Sequence, residues 1–242
     1  MDLVLYGAAG GCSRVTMTAL EETGAPYTYE VVKFMQQENL SPAYLAKNPL
    51  GKIPCLVVDG RPLRENVAIL SWLSEAFPAA KLLPPVSNAL DRAEQTADLC
   101  FCASTLHPIL TRMTVPMMFG SSEASASIHA AAETMMHRYF AVAEERLTNR
   151  NYWYGDEWSV MDAYLAWFFK RVAVESEEIT DYPNMDVSNY PNFSAMMGRY
   201  EKRPSVQRVV EREAEENAQM AREGLDWDAQ SFDAESLVRG KP

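Results

Sequence analysis

The sequence predicts a small α/β domain followed by an all-helical domain. Apolar and alternating runs in the first 78 positions follow the order β-α-β and then β-β-α. A stretch around Pro84-Pro85 is typical of a linker, and after it strand signals become rare while helical patterns become long. We therefore predict an α/β domain over residues 1–80, a linker over 81–90 and a helical domain over 91–242, with a C-terminal tail from about residue 211.

The first three elements are a strand, a helix and a second strand. Leu3–Tyr6 is a short apolar run, which is typical of a buried strand. Apolar residues recur at helical spacing over Ser13–Glu22, and Gly24 suits the position just after a helix. Tyr27–Val32 alternates as a strand does. Because a helix joins them, the two strands are expected to run parallel through a right-handed crossover.

A hairpin and a helix complete the first domain. Cys55–Val58 is rich in β-formers, and Asp59-Gly60 is a strong two-residue turn signal. Arg61–Leu63 then returns as an edge strand, where its proline is tolerated. Apolar positions over Val67–Phe77 predict a helix, and a short helix is predicted earlier, over 42–46.

The second half of the chain shows four long helical patterns, over Asp91–Leu110, Ser127–Leu147, Ser159–Val174 and Tyr190–Arg203. Ser159 and Asp162 have the spacing of an N-terminal capping pattern, which we interpret as structural. The charged segment from Glu211 is expected to form a helix and then a tail that packs through Leu225, Trp227 and Phe232.

Composition excludes several classes of protein. A net charge of −11 argues against binding to nucleic acid or to an anionic membrane surface. No apolar run reaches the ~18 residues of a membrane span. The N-terminus lacks the basic and apolar regions of a signal peptide, so a cytoplasmic protein is expected.

Cysteine and histidine spacing indicates neither disulfides nor a metal site. Four cysteines in 242 residues do not form a secreted disulfide framework, and no C-x-x-C pair is present. His129 and His137 lie eight residues apart without an evident third ligand. We therefore predict no metal.

The candidate site is the loop after the first strand. Gly7–Gly11 is a run of small residues that ends at two nucleophile-capable side chains, Cys12 and Ser13. These stand at the predicted start of a helix, where unpaired N–H groups and the helix dipole favour an anion. A thiolate is such an anion, and the residues alone leave open which of the two side chains serves it.

Two further motifs resemble a known family. Asn48-Pro-Leu-Gly-Lys-Ile-Pro54 followed by Glu65-Asn-Val-Ala-Ile69 is similar to the glutathione-binding signature of the cytosolic glutathione S-transferases. Gly11-Cys12-Ser13 and Thr105-Leu-His107 resemble the bacterial beta class of that family. The resemblance implies a thioredoxin-like first domain, an all-α second domain, a homodimer, and glutathione as the cosubstrate.

The resemblance also implies roles for individual residues. A cis peptide before Pro54 would let the backbone of Ile53 pair with the cysteinyl part of glutathione. Glu65 and the backbone of Asn66 would hold the γ-glutamyl end, and Lys52 would lie near the glycyl carboxylate. Most family members have Ser where this chain has Asn66, and Asn suits a helix N-cap equally well.

Two chemistries follow from the neighbours at the helix start. If Ser13 binds the glutathione sulfur, the thiolate attacks an electrophile directly, as in detoxifying conjugation or beta-etherase cleavage of aryl ethers. If Cys12 is the reactive thiol, thiol-disulfide exchange, glutathione lyase activity or reductive dehalogenation follows. Cys12 is alternatively a small buried side chain. A non-catalytic protein that binds glutathione or a partner is a further hypothesis.

Supporting residues are expected from the helical domain. His107 would assist either chemistry or would simply pack in its helix, and Cys100 stands where the beta class has an assisting Asn. An apolar, aromatic electrophile would bind between the domains. The residues expected to line its pocket are Tyr6, Ala9, Leu110, Met113 and Met117. Alternatively, these residues are ordinary members of the hydrophobic core.

Overall fold

The computed structural model describes residues 1–175, 180 and 182–225. The chain divides into two units. The first comprises Met1–Arg92 and the described residues from Glu201 onward, and the second comprises Ala93–Tyr200. No described helix is both long and apolar enough to cross a membrane.

A four-stranded mixed sheet forms the centre of the first unit. Its strands are β1 (Leu3–Gly7), β2 (Thr28–Val31), β3 (Cys55–Val58) and β4 (Arg61–Arg64), in the spatial order β2-β1-β3-β4. β1 pairs with β2 in parallel and with β3 antiparallel, and β3 pairs with β4 antiparallel, which confirms the predicted parallel strands and the hairpin. The β3–β4 turn has positive φ at both Asp59 and Gly60, as a two-residue hairpin turn requires.

The α-helices that lie wholly within the described part of the first unit are α1 (Ser13–Thr23), α2 (Pro42–Leu45), α3 (Asn66–Ala76) and α9 (Pro204–Glu223). α1 packs against both α3 and α9. Its inward side chains are fully buried, and Gly24 ends it in the left-handed conformation at φ 67°. The apolar spacing that predicted α1 and α3 therefore marks their buried faces.

The second unit has no β-strand among its described residues, and its α-helices are α4 (Ala89–Cys100), α5 (His107–Thr114), α6 (Ser125–Arg146), α7 (Val160–Ala173) and α8 (Pro191–Tyr200). α4 begins at the end of the first unit. Aromatic side chains fill the core of the second unit, where Phe140 contacts both Phe169 and Phe193. The capping box predicted at the start of α7 is present, because the Ser159 side chain accepts from the Asp162 backbone N–H and the Asp162 side chain accepts from the Ser159 backbone N–H.

The predicted helix over Asp91–Leu110 is interrupted. α4 ends at Cys100, and Phe101–Leu106 continues as a π-helical segment before α5 begins. Pro108 explains the break, since a proline cannot donate the helical hydrogen bond that a regular ladder would need at that position.

The C-terminal helix differs from the prediction in its start and in its unit. α9 begins at Pro204, a first-turn position that suits proline, rather than near residue 211. It groups with the first unit because it packs along α1 and forms ion pairs there, such as Arg208 with Glu21. Trp227 and Phe232 of the predicted tail lie outside the described residues.

Candidate active site

The loop between β1 and α1 depends on glycine for its close contacts. A Cβ on Gly7 would lie 2.7 Å from both Cβ and Oγ of Ser13, and one on Gly11 would lie 2.9 Å from Cδ1 of Ile53. Gly10 adopts φ 68°, a left-handed conformation that glycine tolerates best. The small residues of this loop therefore allow the helix start and the segment before β3 to approach it.

Ser13 is fully buried at the first position of α1. Its Oγ donates to the carbonyl of Ala8 at 3.1 Å and accepts from the N–H of Ala8 at 3.2 Å. Both bonds tie the side chain to the loop backbone. In this conformation both hydrogen bonds of the hydroxyl stabilise the loop.

Cys12 stands immediately before α1. Its thiol donates to the carbonyl of Ile53, with 3.3 Å between Sγ and the oxygen. The Ile53–Pro54 peptide bond is cis, as the resemblance implied. Within the described part of the chain, no group accepts the Ile53 N–H. The cysteine sulfur thus lies beside a backbone segment in which the Ile53 N–H has no acceptor among the described residues.

The segment before Pro54 is fixed by polar side chains. The Lys52 carbonyl accepts from the Tyr44 hydroxyl and from Nδ2 of Asn48, both at 2.6 Å. Nδ2 of Asn39 donates to the Gly51 carbonyl at 3.0 Å. The Lys52 side chain is exposed. This network holds the backbone around Ile53 while leaving a cationic side chain in solvent.

The start of α3 carries a strained residue. Glu65 has φ 68°, which is rare for a residue with a side chain and costs about 1–3 kcal/mol. Its carbonyl accepts from the Ile69 N–H at 2.9 Å, and its side chain is exposed. Strain of this kind is concentrated at ligand clamps and active sites, so an exposed carboxylate held this way at a helix start suits the binding of a cation.

Asn66 does not cap α3, and that part of the sequence interpretation was wrong. Glu65 occupies the N-cap position, and Asn66 is the first helical residue. The Asn66 side chain turns to α1 instead, donating to the Cys12 carbonyl at 3.1 Å and accepting from Oγ1 of Thr16 at 2.6 Å. Asn66 thereby links the start of α3 to the residue that carries the thiol.

Two carboxylates of α9 reach the same loop, which the sequence did not indicate. The Ala9 N–H donates to Oε1 of Glu216 at 2.7 Å, and the Gly10 N–H donates to Oε1 of Glu213 at 3.2 Å. Glu213 also pairs with Arg14 through contacts of 2.6 and 2.7 Å, and all three charged side chains are buried. Burial raises the pKa of Glu216 above its ordinary value, against the bonds from Ala9 and Tyr29.

Tyr6 lies beside this segment and packs against Tyr44. Its ring meets that of Tyr44 edge-on with centroids 5.9 Å apart. Burial raises the pKa of the Tyr6 hydroxyl, with smaller contributions from Glu30 and Cys55. The hydroxyl therefore stays protonated at neutral pH.

The predicted residues of the second unit lie mainly among apolar neighbours. The His107 ring, at the start of α5, is edge-on to Trp167 with centroids 5.0 Å apart and to Phe168 at 6.1 Å. Leu110 and Met113 are buried, and Met117 is half-buried in a short 3₁₀ turn. The Met113 carbonyl bonds Nδ1 of His129 at 2.9 Å. Among the described residues, no group of three or more His, Cys, Asp or Glu side chains could hold a metal ion.

Comparison with known proteins identifies the family. Residues 11–76 match the N-terminal domain of glutathione S-transferases, and residues 106–204 match the C-terminal domain. Glutathione S-transferase GST-4.5 of Xanthomonas campestris is 32% identical over 167 residues, covering 66% of this chain and 78% of the relative. The chain belongs to the glutathione S-transferase family. The predicted architecture and the assignment as a glutathione transferase enzyme are thereby confirmed.

This chain is also similar to an isomerase and to solved structures of other glutathione S-transferases. A maleylpyruvate isomerase of a Ralstonia species is 29% identical over 190 residues, covering 76% of this chain and 87% of that protein. The solved beta-class glutathione S-transferase of Sphingomonas chungbukensis superposes with a TM-score of 0.73 at 30% identity, covering 87% and 98% of the two chains. A sphingomonad glutathione S-transferase solved in complex with glutathione superposes with a TM-score of 0.73 at 28% identity, with the same coverage.

In this glutathione S-transferase, the sequence does contain a pattern that predicts the buried carboxylates of α9, although the many charged residues of that helix obscure it. Val206, Val209, Glu213 and Glu216 recur at spacings of three and four, so they lie on one helical face. The first two are buried apolar residues of α9. Continuing their stripe through the acidic run would have predicted that these two glutamates face α1 as well.

Proposed function

We propose that this chain is a glutathione transferase in which Cys12, rather than Ser13, meets the sulfur of glutathione. The observation that carries the proposal is the position of the Cys12 thiol, 3.3 Å from the Ile53 carbonyl at the start of α1. Cys12 and Ser13 are both buried, but the Ser13 hydroxyl is bonded to Ala8 in both directions, so it is poorly suited to the same role.

The groups around Cys12 match the parts of the tripeptide. The Ile53 N–H, without an acceptor among the described residues, suits the cysteinyl carbonyl of glutathione. The exposed Glu65 carboxylate suits the γ-glutamyl ammonium, and the first turn of α3 suits its carboxylate. The exposed Lys52 ammonium suits the glycyl carboxylate. These placements direct the sulfur toward the N-terminus of α1.

The start of α1 favours a thiolate there. The N–H of Ser13 has no acceptor in the described part of the chain, and the helix dipole adds positive potential. Lowering a thiol pKa by ~2 units requires about 2.7 kcal/mol of preference for the anion. One charge-assisted hydrogen bond and a helix N-terminus supply energy of that size.

We infer conjugation as the principal reaction. The thiolate attacks an apolar, aromatic electrophile, a bond from sulfur to carbon forms, and the leaving group departs with the bonding pair. Cleavage of aryl ethers is the same step with a phenolate as leaving group. The position of Cys12 also favours a second function, thiol-disulfide exchange, in which its thiolate attacks oxidised glutathione and releases one glutathione thiolate.

Intact-mass measurement tests the proposal and separates the two functions. The chain is incubated with oxidised glutathione, and we expect one glutathionyl group on Cys12, removed again by reduced glutathione. A parallel screen with reduced glutathione uses an activated aryl halide, an aryl ether, and maleylpyruvate, the substrate in the name of one relative. Turnover of the halide or ether supports conjugation. Absence of both binding to immobilised glutathione and turnover would overturn the proposal.

Replacing Glu65 tests the proposed γ-glutamyl contact. We expect Glu65→Gln to raise the Kd for glutathione about tenfold, because one charge-assisted hydrogen bond contributes roughly 1.5 kcal/mol. Glu75→Gln on the same helix is the matched control, since Glu75 is exposed and pairs with Arg92 instead. Titration calorimetry measures both. Equal affinities of the two variants would contradict the assignment of Glu65.

Three further expectations stay predictions. The beta class is supported by Cys12 and by the likeness to the Sphingomonas chungbukensis structure. The homodimer and the cytoplasmic location rest on the family resemblance and on the sequence. Sedimentation of the purified chain tests the homodimer, and fractionation of cells tests the cytoplasmic location.

A further inference from the structure

We propose that Glu213 and Glu216 of α9 are positioning residues for Cys12. The proposal rests on the function proposed above, because it concerns the same thiol. The two carboxylates bind successive backbone N–H groups of the loop that leads into Cys12. They therefore control where the thiol lies without touching the reacting atoms.

Each carboxylate is fixed by a second partner. Oε2 of Glu216 accepts from the Tyr29 hydroxyl at 2.9 Å, and Oε2 of Glu213 accepts from Nε of Arg14 at 2.7 Å. Glu213 is 3% exposed and Glu216 7%, so water contributes little to the contacts. A buried carboxylate with partners on both oxygens has little freedom, and the N–H groups bound to it are held correspondingly firmly.

These contacts hold the chain on both sides of Cys12. Before it, Ala9 and Gly10 are bound to α9, and the Gly11 N–H closes the turn onto the Ala8 carbonyl at 3.1 Å. After it, Arg14 is bound to Glu213, the same carboxylate that holds Gly10. Cys12 thus lies in a short bridge whose two ends are anchored to one helix.

Without Glu213 and Glu216, the N–H groups of the loop would attract an anion other than the ligand's sulfur. Two successive N–H groups beside a left-handed residue form a concave anion site, and Gly10 supplies that conformation. Glu216 and Glu213 occupy it with internal carboxylates. The Ser13 N–H at the start of α1, which has no acceptor among the described residues, then remains the place for the ligand's sulfur.

The test compares alanine and glutamine variants of the two glutamates in the full chain. We expect Glu216→Ala and Glu213→Ala to lower kcat for glutathione conjugation about tenfold or more, because small misplacements of a reacting group have large effects on rate. The KM for glutathione should change less than about threefold, since Glu65 and Ile53 are untouched. Alkylation of Cys12 by iodoacetamide, located by peptide mass, should become faster as the thiol leaves the Ile53 carbonyl.

Conservative variants separate positioning from folding. Glu216→Gln keeps an oxygen for the Ala9 N–H and should retain most of kcat, whereas Glu216→Ala should not. Glu22→Gln is the matched control, because it breaks a different ion pair on the same α1–α9 contact, with Arg203. Glu215→Gln is a second control, because it changes an exposed carboxylate on α9.

The outcomes are distinct. The proposal is overturned if Glu216→Ala and Glu22→Gln lower kcat equally for an equal fall in melting temperature, or if Cys12 alkylation is unchanged in both alanine variants. Wild-type protein that neither binds nor turns over glutathione would instead overturn the proposed function, whatever the variants do to alkylation.

Discussion

Replacing Cys12 with alanine is expected to lower kcat/KM for glutathione conjugation about 100-fold or more. The thiol is the side chain next to the Ile53 backbone, at the residue that precedes the Ser13 N–H. Loss of one group that stabilises a reacting anion typically lowers the rate by ~10²–10³-fold. Steady-state kinetics with an activated aryl halide measure the effect, and the adduct with oxidised glutathione should disappear from the intact mass.

Two neighbouring variants sharpen this prediction. Ser13→Ala should keep kcat/KM within about fivefold but lower the free energy of unfolding by about 1–3 kcal/mol, because the half-buried N–H and carbonyl of Ala8 both lose their partner. Cys12→Ser keeps a donor but not a reactive sulfur. Conjugation retained in Cys12→Ser assigns Cys12 a hydrogen-bonding role. A large rate loss in Ser13→Ala with Cys12→Ala unaffected would contradict the assignment.

The first unit could be predicted because its signals are local. Asp59-Gly60 specifies its turn through backbone conformations that few residues adopt, and both residues have positive φ. Gly24 ends α1 for a similar reason. The motif at Asn48–Pro54 correctly indicated the cis bond before Pro54. Short-range steric constraints of this kind are written in the sequence itself.

The choice between Cys12 and Ser13 could not be predicted, because both neighbours satisfy the same local pattern. Their contacts differ through residues distant in sequence: Cys12 bonds Ile53, and the α9 carboxylates bond the loop that Ser13 closes. The capping role expected of Asn66 was wrong for the same reason, since its side chain bonds Thr16 of α1 instead of the start of α3. Tertiary contacts decide between locally equivalent roles, and a single sequence does not record them.

Replacing Asp162 with alanine is expected to lower the free energy of unfolding by about 3–4 kcal/mol. Its carboxylate, fully buried at the start of α7, accepts from the Trp153 N–H at 2.7 Å and from the Ser159 N–H and Oγ at 2.9 Å. Loss of a helix cap costs about 1 kcal/mol, and each buried donor left unpaired costs about 1–3 kcal/mol. Urea unfolding monitored by tryptophan fluorescence measures the change, and one below about 1 kcal/mol would contradict the argument.

The pH dependence of that stability provides an independent check. Burial raises the pKa of Asp162 to about 6, against the lowering effect of its hydrogen bonds. The folded state therefore binds more protons than the unfolded state between pH ~4 and ~6, so the stabilisation from protonation is complete below that range and is lost as pH rises through it. Asp162→Asn cannot titrate. The free energy of unfolding of wild type relative to Asp162→Asn should thus be about 1 kcal/mol higher at pH 5 than at pH 7. A difference that is constant with pH would show that the carboxylate is already ionised in the folded state at pH 5, and that its three hydrogen bonds outweigh the effect of burial.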